Sequence, residues 1–430
     1  MKGYTIQLRR WGILGFMILM FTACTPDQEA PEAADSLPAM TKPEEEESIK
    51  DGQTLTVVTP ETAKNPPETK NKYQIQTRLT DFHMLDEASG VAWGLNGTAL
   101  RLYITDDYGE TWVDISPSSN VKFMDKLVYG TDLVFTDERH GYIVRNGQGQ
   151  RDTMILTTVD GGREWRFSSL PNTGRVTALS FDSDQGWVMT APKSILGIQE
   201  KILYRLDPQD TAWTEIMQNR NYPASRVPDF VLPRSGFVTG MSYANAYTGL
   251  VSVKERRGGA LYITRDGGET WSPVDRVFSE EPLTECETFY PGSAVFLGNA
   301  QKVWVPLQCF MEEQLHDLGY FSEDGGKSWE LIEFPLVRKS STRNAAPFFY
   351  RMNRGYAIMD GIVYVTEDKG QTWEPFEEDE VLAQNLDNYP IISKLQFASS
   401  EVGWMLVETL DGSRSRLLLS LDGGKSWKVR

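Results

Sequence analysis

From residue 73 onward, apolar and polar residues alternate in short runs, and one recurring turn punctuates them. Leu102-Tyr103-Ile104 and Val363-Tyr364-Val365 show the period-two pattern of a buried strand. Each run leads into Ser/Thr-x-Asp-x-Gly-x-x-Trp, found at Thr105 to Trp112, Thr158 to Trp165, Thr264 to Trp271, Ser322 to Trp329, Thr366 to Trp373 and Ser420 to Trp427. A degenerate copy, Leu203 to Trp213, keeps Asp207 and Trp213 but has one extra residue and no Gly, which predicts a looser turn. From Asp107 to Asp422 the chain covers 315 residues in six intervals, a mean of 52.5. That period is the size of a four-stranded propeller blade and not of a helical repeat.

A second element fixes the phase. An apolar or aromatic strand, often opened by Gly, lies 12 to 20 residues before each box Asp, as in Val91-Ala92-Trp93, Gly186-Trp187-Val188 and Gly403-Trp404-Met405. The chain is therefore expected to be all-β, a seven-bladed propeller of four-stranded antiparallel blades over residues 73–430, with almost no room for helix. Strand A leads in, strand B carries Gly-Trp, strand C ends in the box and strand D starts at the box Trp. Ring closure removes exposed sheet edges. Either Tyr73 to Leu79 or Trp427 to Arg430 is expected to supply a closing strand.

The residue types of the box follow from its shape. An Asp carboxylate accepts hydrogen bonds from its own loop, Gly supplies a positive φ, and Trp packs where the next strand leaves. Losing a packed Trp costs about 3–5 kcal/mol and losing the Asp bonds about 1–3 kcal/mol. The pairs Asp107/Trp112, Asp160/Trp165, Asp207/Trp213, Asp266/Trp271, Asp324/Trp329, Asp368/Trp373 and Asp422/Trp427 are thus structural clamps, since one active site does not need seven copies.

Composition narrows the function. With 60 acidic and 43 basic side chains the net charge is −17, which lacks the electrostatic drive for nucleic-acid binding. Three scattered histidines (His83, His140, His316) and three cysteines give no zinc-type ligand set, so neither a metal nor a cofactor is expected.

The amino terminus reads as an address. Basic residues up to Arg10, an apolar run from Trp11 to Phe21 and Thr22-Ala23-Cys24 make a secretory signal over residues 1–23. The run is about half of the roughly 20 residues that a membrane-crossing helix needs. Phe21-Thr22-Ala23-Cys24 resembles the bacterial lipobox, with Phe21 in place of the usual Leu. The resemblance implies a diacylated or triacylated Cys24 on the extracytoplasmic face of a membrane. Residues 24–72 follow as an acidic, Pro-rich linker containing Glu44-Glu45-Glu46-Glu47, which has too little apolar surface to offset its ordering entropy and is expected to be disordered. Residues 25–72 would span on the order of 40 Å as a coil.

The boxes resemble the Asp-box, or bacterial neuraminidase, repeat. Together with Gly-Trp they look most like the propellers of photosystem II assembly and stability factors, over about residues 80–430. The resemblance implies fold more strongly than function, because sialidases and sortilin-type receptors carry the same turns. It implies a protein client in the envelope. A glycan-binding or glycan-cleaving propeller is the alternative.

Chemistry is expected on the face opposite the boxes, where B–C turns and D–A crossings emerge. Long insertions there carry Arg220, Tyr222, Arg226, Asp229 and Arg234, then Glu285, Glu287 and Tyr290, then Arg338, Lys339 and Arg343. Arginines grouped on one face of an acidic protein suit an anionic or protein contact. Cys286 and Cys309 approach the same face of the fifth blade, and a disulfide between them would contribute about 3 kcal/mol. Sialidase chemistry fits poorly, since Arg78 and Arg101 precede no Pro and Arg226-Val227-Pro228 lies between the third and fourth boxes. Glu287 and Tyr290 have only spacing in favour of a nucleophile pair. No catalytic residue is assigned.

Overall fold

The computed structural model describes residues 56–58, 75 and 77–430, apart from 148–151, 172–173, 183–184, 207–211, 224, 257, 276, 280–282, 339–342 and 377–378. Residues 47–430 form one compact unit. Seven four-stranded antiparallel blades follow one another along the chain. Blade 1 is strand A (Asp81–Met84), B (Gly90–Asn96), C (Ala99–Thr105) and D (Val113–Asp114), paired in that order. Blades 2 to 7 repeat the order over 133–169, 175–218, 237–273, 288–338, 345–375 and 391–429. The strand assignment read from the sequence therefore holds in every blade.

Gly opens strand B for a steric reason. A Cβ on Gly141, Gly186, Gly249 or Gly403 would sit 2.3–2.6 Å from the aromatic ring that ends strand A of the same blade, namely Phe135, Phe181, Tyr243 or Phe397. The aromatic residue after the Gly then stacks on the next blade. Tyr142 lies on Phe181 at 3.6 Å, Trp187 on Tyr243 at 3.7 Å and Tyr356 on Phe397 at 3.7 Å between ring centroids. Trp187 with Tyr243 and Tyr356 with Phe397 belong to buried wedges between neighbouring blades, so the dipeptide packs two sheets at once.

The ring closes differently from the expectation. No strand is exchanged among the described residues: Lys428–Val429 is strand D of its own blade, and Arg78 and Leu79 pair with no sheet. Blades 1 and 7 meet through side chains. Phe82, Met84, Ala92 and Trp112 pack with Trp404, Leu406, Leu417 and Leu419. Gln396 accepts from the Met84 amide at 3.1 Å and donates to its carbonyl at 3.2 Å. Lys394 donates to Asp81 at 2.9 Å and to the Phe82 carbonyl at 2.6 Å, and Arg78 pairs with Glu408. Apolar wedge and polar stitches are strong enough to replace a shared strand.

Two features depart from a linker followed by a pure β-ring. Within the segment expected to be a spacer, Thr56–Val58 is a strand that adds to the outer edge of blade 2, antiparallel to Trp165–Ser169, with Thr56 opposite Phe167 and Val58 opposite Trp165. An edge strand offers unpaired backbone groups, and Thr-Val-Val suits such pairing. The rest of 1–74 lies outside the described residues. Helix α1 (Glu380–Asn388) occupies the crossing from blade 6 to blade 7. Asp379 caps it by accepting from the Leu382 amide at 3.0 Å, and the same carboxylate accepts from the Trp427 amide at 2.9 Å.

Candidate functional site: a cationic cavity opposite the Asp-box turns

The box turns lie on one face. In the first, the Thr105 hydroxyl donates to Asp107 at 2.8 Å and accepts from the Gly109 amide at 3.1 Å, while the Thr111 amide donates to Asp107 at 2.8 Å. Trp112 donates its indole N–H to the Gly109 carbonyl at 3.1 Å. The same network recurs around Asp266, Asp324, Asp368 and Asp422. In the second box Trp165 instead donates to the Ile115 carbonyl at 2.8 Å, clamping the preceding crossing. Hydrogen bonds from Ser328 and its neighbours hold the Asp324 carboxyl down to about 2. Asp207 lies outside the described residues, but Trp213 is buried and donates to Ser168 at 3.0 Å, tying blade 3 to blade 2. The boxes are occupied by their own bonds, and the Ser/Thr hydroxyls that open them are as central as the Asp.

The opposite face carries a cavity of about 430 Å³ at the junction of blades 1 to 3, lined among others by Lys122, Lys126, Arg145, Arg175, Asp132 and Asp152. The crossing between blades 1 and 2 builds its wall. Phe123 and Leu127 are buried in the core, and Trp93 donates its indole N–H to the Leu127 carbonyl at 3.0 Å. Those anchors leave Lys122, Met124, Lys126 and Val128 exposed. Beneath them Asp132 accepts from the Val128 amide at 3.0 Å and from Asn146 at 3.4 Å. Burial pushes the Asp132 carboxyl up, against those bonds and the nearby Arg175. Asn146 also accepts from the Val176 amide at 2.8 Å, so this polar node joins blades 2 and 3. The result is a fixed floor under a rim where four cations outnumber two exposed acids, Asp125 and Asp152, with exposed methionine and valine side chains beside them, in an acidic chain. Such a rim can take an anionic, partly apolar segment of another molecule.

None of the residues proposed from sequence lines this cavity. Arg220 pairs with Glu215 at 3.2 Å, Arg226 is exposed, and Arg234 is engaged by Glu200 at 2.9 Å and by the Tyr222 carbonyl at 3.0 Å. Glu285 and Glu287 are exposed, and Tyr290 receives Lys254 over its ring at 4.7 Å, at the edge of a second cavity of about 240 Å³ between blades 5 and 6. Arg338 ends strand D of blade 5, opposite Leu315, and Arg343 donates to the Leu386 carbonyl of α1 at 3.2 Å. Each group sits on its own crossing. Cys286 and Cys309 are joined as a disulfide with Cα atoms 5.6 Å apart, and Cys309 is opposite Phe289 in the sheet of blade 5. The crossing over 115–132 does not stand out in the sequence because the interval from Asp107 to Asp160, 53 residues, is within one residue of the mean. The one available signal is the alternation of cations with large apolar residues in Lys122-Phe123-Met124-Asp125-Lys126-Leu127.

Comparison with known proteins gives a consistent picture. Residues 120–277 match the family model described as photosynthesis system II assembly factor YCF48. The photosystem II assembly lipoprotein Ycf48 of Synechococcus sp. (strain CC9902) is 24% identical over 275 residues, covering 56% of this chain and 74% of that protein. Among solved structures, a prolyl endopeptidase chain superposes with a TM-score of 0.51 at 10% identity, over 82% of this chain and 49% of its own. This likeness is one of fold, and the chain spans about half the length of that enzyme. The propeller domain of the trilobed protease from Pyrococcus furiosus has a TM-score of 0.49 at 12% identity, over 82% of this chain and 97% of that one. The chain is thus an Asp-box propeller similar to the photosystem II assembly factors.

Proposed function

We propose that this protein is a membrane-anchored, extracytoplasmic scaffold whose propeller holds a membrane-protein client during its assembly. The cationic cavity opposite the boxes carries this reading: an acidic chain presents Lys122, Lys126, Arg145 and Arg175 around one pocket with Met124 and Val128 exposed beside them. Charge complementarity of this kind steers an encounter, and exposed apolar side chains hold it. The similarity to an assembly lipoprotein, a photosystem II factor by name, supports a client of the same kind. Arg226 and Arg343 extend the face around the ring, and acyl chains on Cys24 keep it near its client.

Retention of membrane proteins by the intact chain tests the reading. Lys122→Glu combined with Lys126→Glu is expected to weaken capture roughly tenfold, while Lys425→Glu on the box face leaves it unchanged. Equal capture by both variants, or retention of glycans in place of proteins, refutes it. For the anchor, Cys24→Ser should move the protein from membranes to the soluble fraction, and an unchanged distribution refutes lipid attachment.

A further inference from the structure

Blade 3 carries an extension that neither the ring nor the cavity uses. Between strands B (Gly186–Ala191) and C (Ile202–Leu206) the chain makes a small hairpin, Ser194 paired with Gln199 and Ile195 with Ile198. Its two tip residues, Leu196 and Gly197, both have positive φ, 49° and 81°. A two-residue turn of that kind favours Asn-Gly, and a leucine there is strained. Leu196 is nevertheless 97% exposed, with Ile195 and Ile198 exposed beside it. A strained position that spends its side chain on water is serving something other than the fold.

The base of the hairpin is rigid. The Gln199 amide donates to the Arg234 carbonyl at 2.7 Å, the Gly236 amide to the Gly197 carbonyl at 3.0 Å, and the Val238 amide to the Gln199 side chain at 2.9 Å. Fully buried Lys201 donates to the carbonyls of Pro233, Ser235 and Gly236 at 2.8–3.2 Å. Glu200, the acid that follows the hairpin in sequence, pairs with Arg234 at 2.9 Å, and Lys193 precedes the hairpin. The tip is thus an uncharged apolar finger with a cation at its root.

The tether supplies the direction. Thr56–Val58 runs antiparallel to strand D of blade 2 with Val58 at the box end, so its Thr56 end, the one nearer Cys24 in sequence, points to the face from which the neighbouring finger projects. We propose that the hairpin Ser194–Gln199 docks on the lipid surface of the membrane that anchors the chain, inserting Ile195, Leu196 and Ile198 among the acyl chains with Lys193 at the headgroups. This rests on the anchored reading above. Three side chains bind weakly alone, but the anchor holds them at high effective concentration, and two signals together make a stable attachment. The ligand face then lies against the bilayer, where a membrane-protein client emerges.

The test uses the full lipidated chain in vesicles of phosphatidylcholine and phosphatidylglycerol. A polarity-sensitive fluorophore is placed at Leu196→Cys or, on the box face, at exposed Tyr247→Cys. Quenching by brominated lipid at position 196 and not at 247 is the expected result. Co-flotation with both probes in water overturns lipid docking, as does shielding of position 196 only when membrane proteins are added. Failure to float refutes the anchored reading separately, and the hairpin is then judged on the unlipidated chain. There Leu196→Asn, which suits the positive φ and so keeps the fold, is expected to lower vesicle partitioning on the order of tenfold. Unchanged partitioning overturns the proposal.

Discussion

Replacing Gln396 by leucine tests how the ring is held shut. Its amide reaches 312 residues back along the sequence and satisfies both the N–H and the C=O of Met84. Gln396 and Met84 are both buried, so water cannot take over either bond. Leucine keeps most of the volume but strands a donor and an acceptor, each costing about 1–3 kcal/mol, for a total of about 2–6 kcal/mol. The loss is expected to be local in a telling way. Amide exchange should accelerate together in strand A of blade 1 and strands A and B of blade 7, read by hydrogen–deuterium exchange with mass spectrometry, before blades 3 to 5 change. As a control, Gln371→Leu removes an exposed side-chain bond to the Asp368 carbonyl and should be silent. A Gln396→Leu protein within 0.5 kcal/mol of the parent, or one that loses protection in blade 7 alone, refutes closure by these stitches.

Two further outcomes follow from the packing and the turns. Gly186→Ala puts a Cβ 2.3 Å from the Phe181 ring, which is already stacked on Tyr142 and edge-on to Trp213, and should cost about 1–3 kcal/mol in urea unfolding; Gly97→Ala, with open space but φ of +61°, should cost no more than about 1–2 kcal/mol, so a reversed order contradicts the steric account. In acid, the Asp324 carboxyl sits at about 2, and those of Asp266, Asp368 and Asp422 lie below the ordinary range because hydrogen bonds outweigh burial. These folded values are lower than the unfolded ones, so the stabilisation is complete above roughly pH 4 and is lost as the pH falls from there toward 2. Melting temperatures of the parent and of Asp324→Asn should converge over that window, and parallel curves count against the box carboxylates.

The architecture was legible because its signals are local and repeated. A box needs only eight consecutive residues, and Gly-Trp marks strand B in the same frame, so strand order and blade number follow from spacing. Ring closure was not legible: Gln396 and Lys394 meet Met84, Asp81 and Phe82 from the far end of the sequence, and nothing local marks them. The site was missed for a related reason. Loop length points to 219–234 and 338–350, yet the cavity wall is a crossing in a blade interval of average length, built from Phe123 and Leu127 turned inward and Lys122 and Lys126 turned out. Asp132 and Asn146 join it only through the fold.

The unshared seam bears on how such a gene arises and how it can be rearranged. The four core strands of each blade are consecutive in the chain, with Thr56–Val58 an addition to the edge of blade 2, so a blade-length duplication adds a whole sheet without splitting another, and among the described residues no blade takes a core strand from the opposite end. The seam between blades 1 and 7 is built from the same kinds of contact as the covalently continuous junctions, an aromatic wedge and side-chain stitches. Joining the present ends and opening the chain between strand D of blade 5 and strand A of blade 6 would therefore yield the same ring from a circularly permuted message.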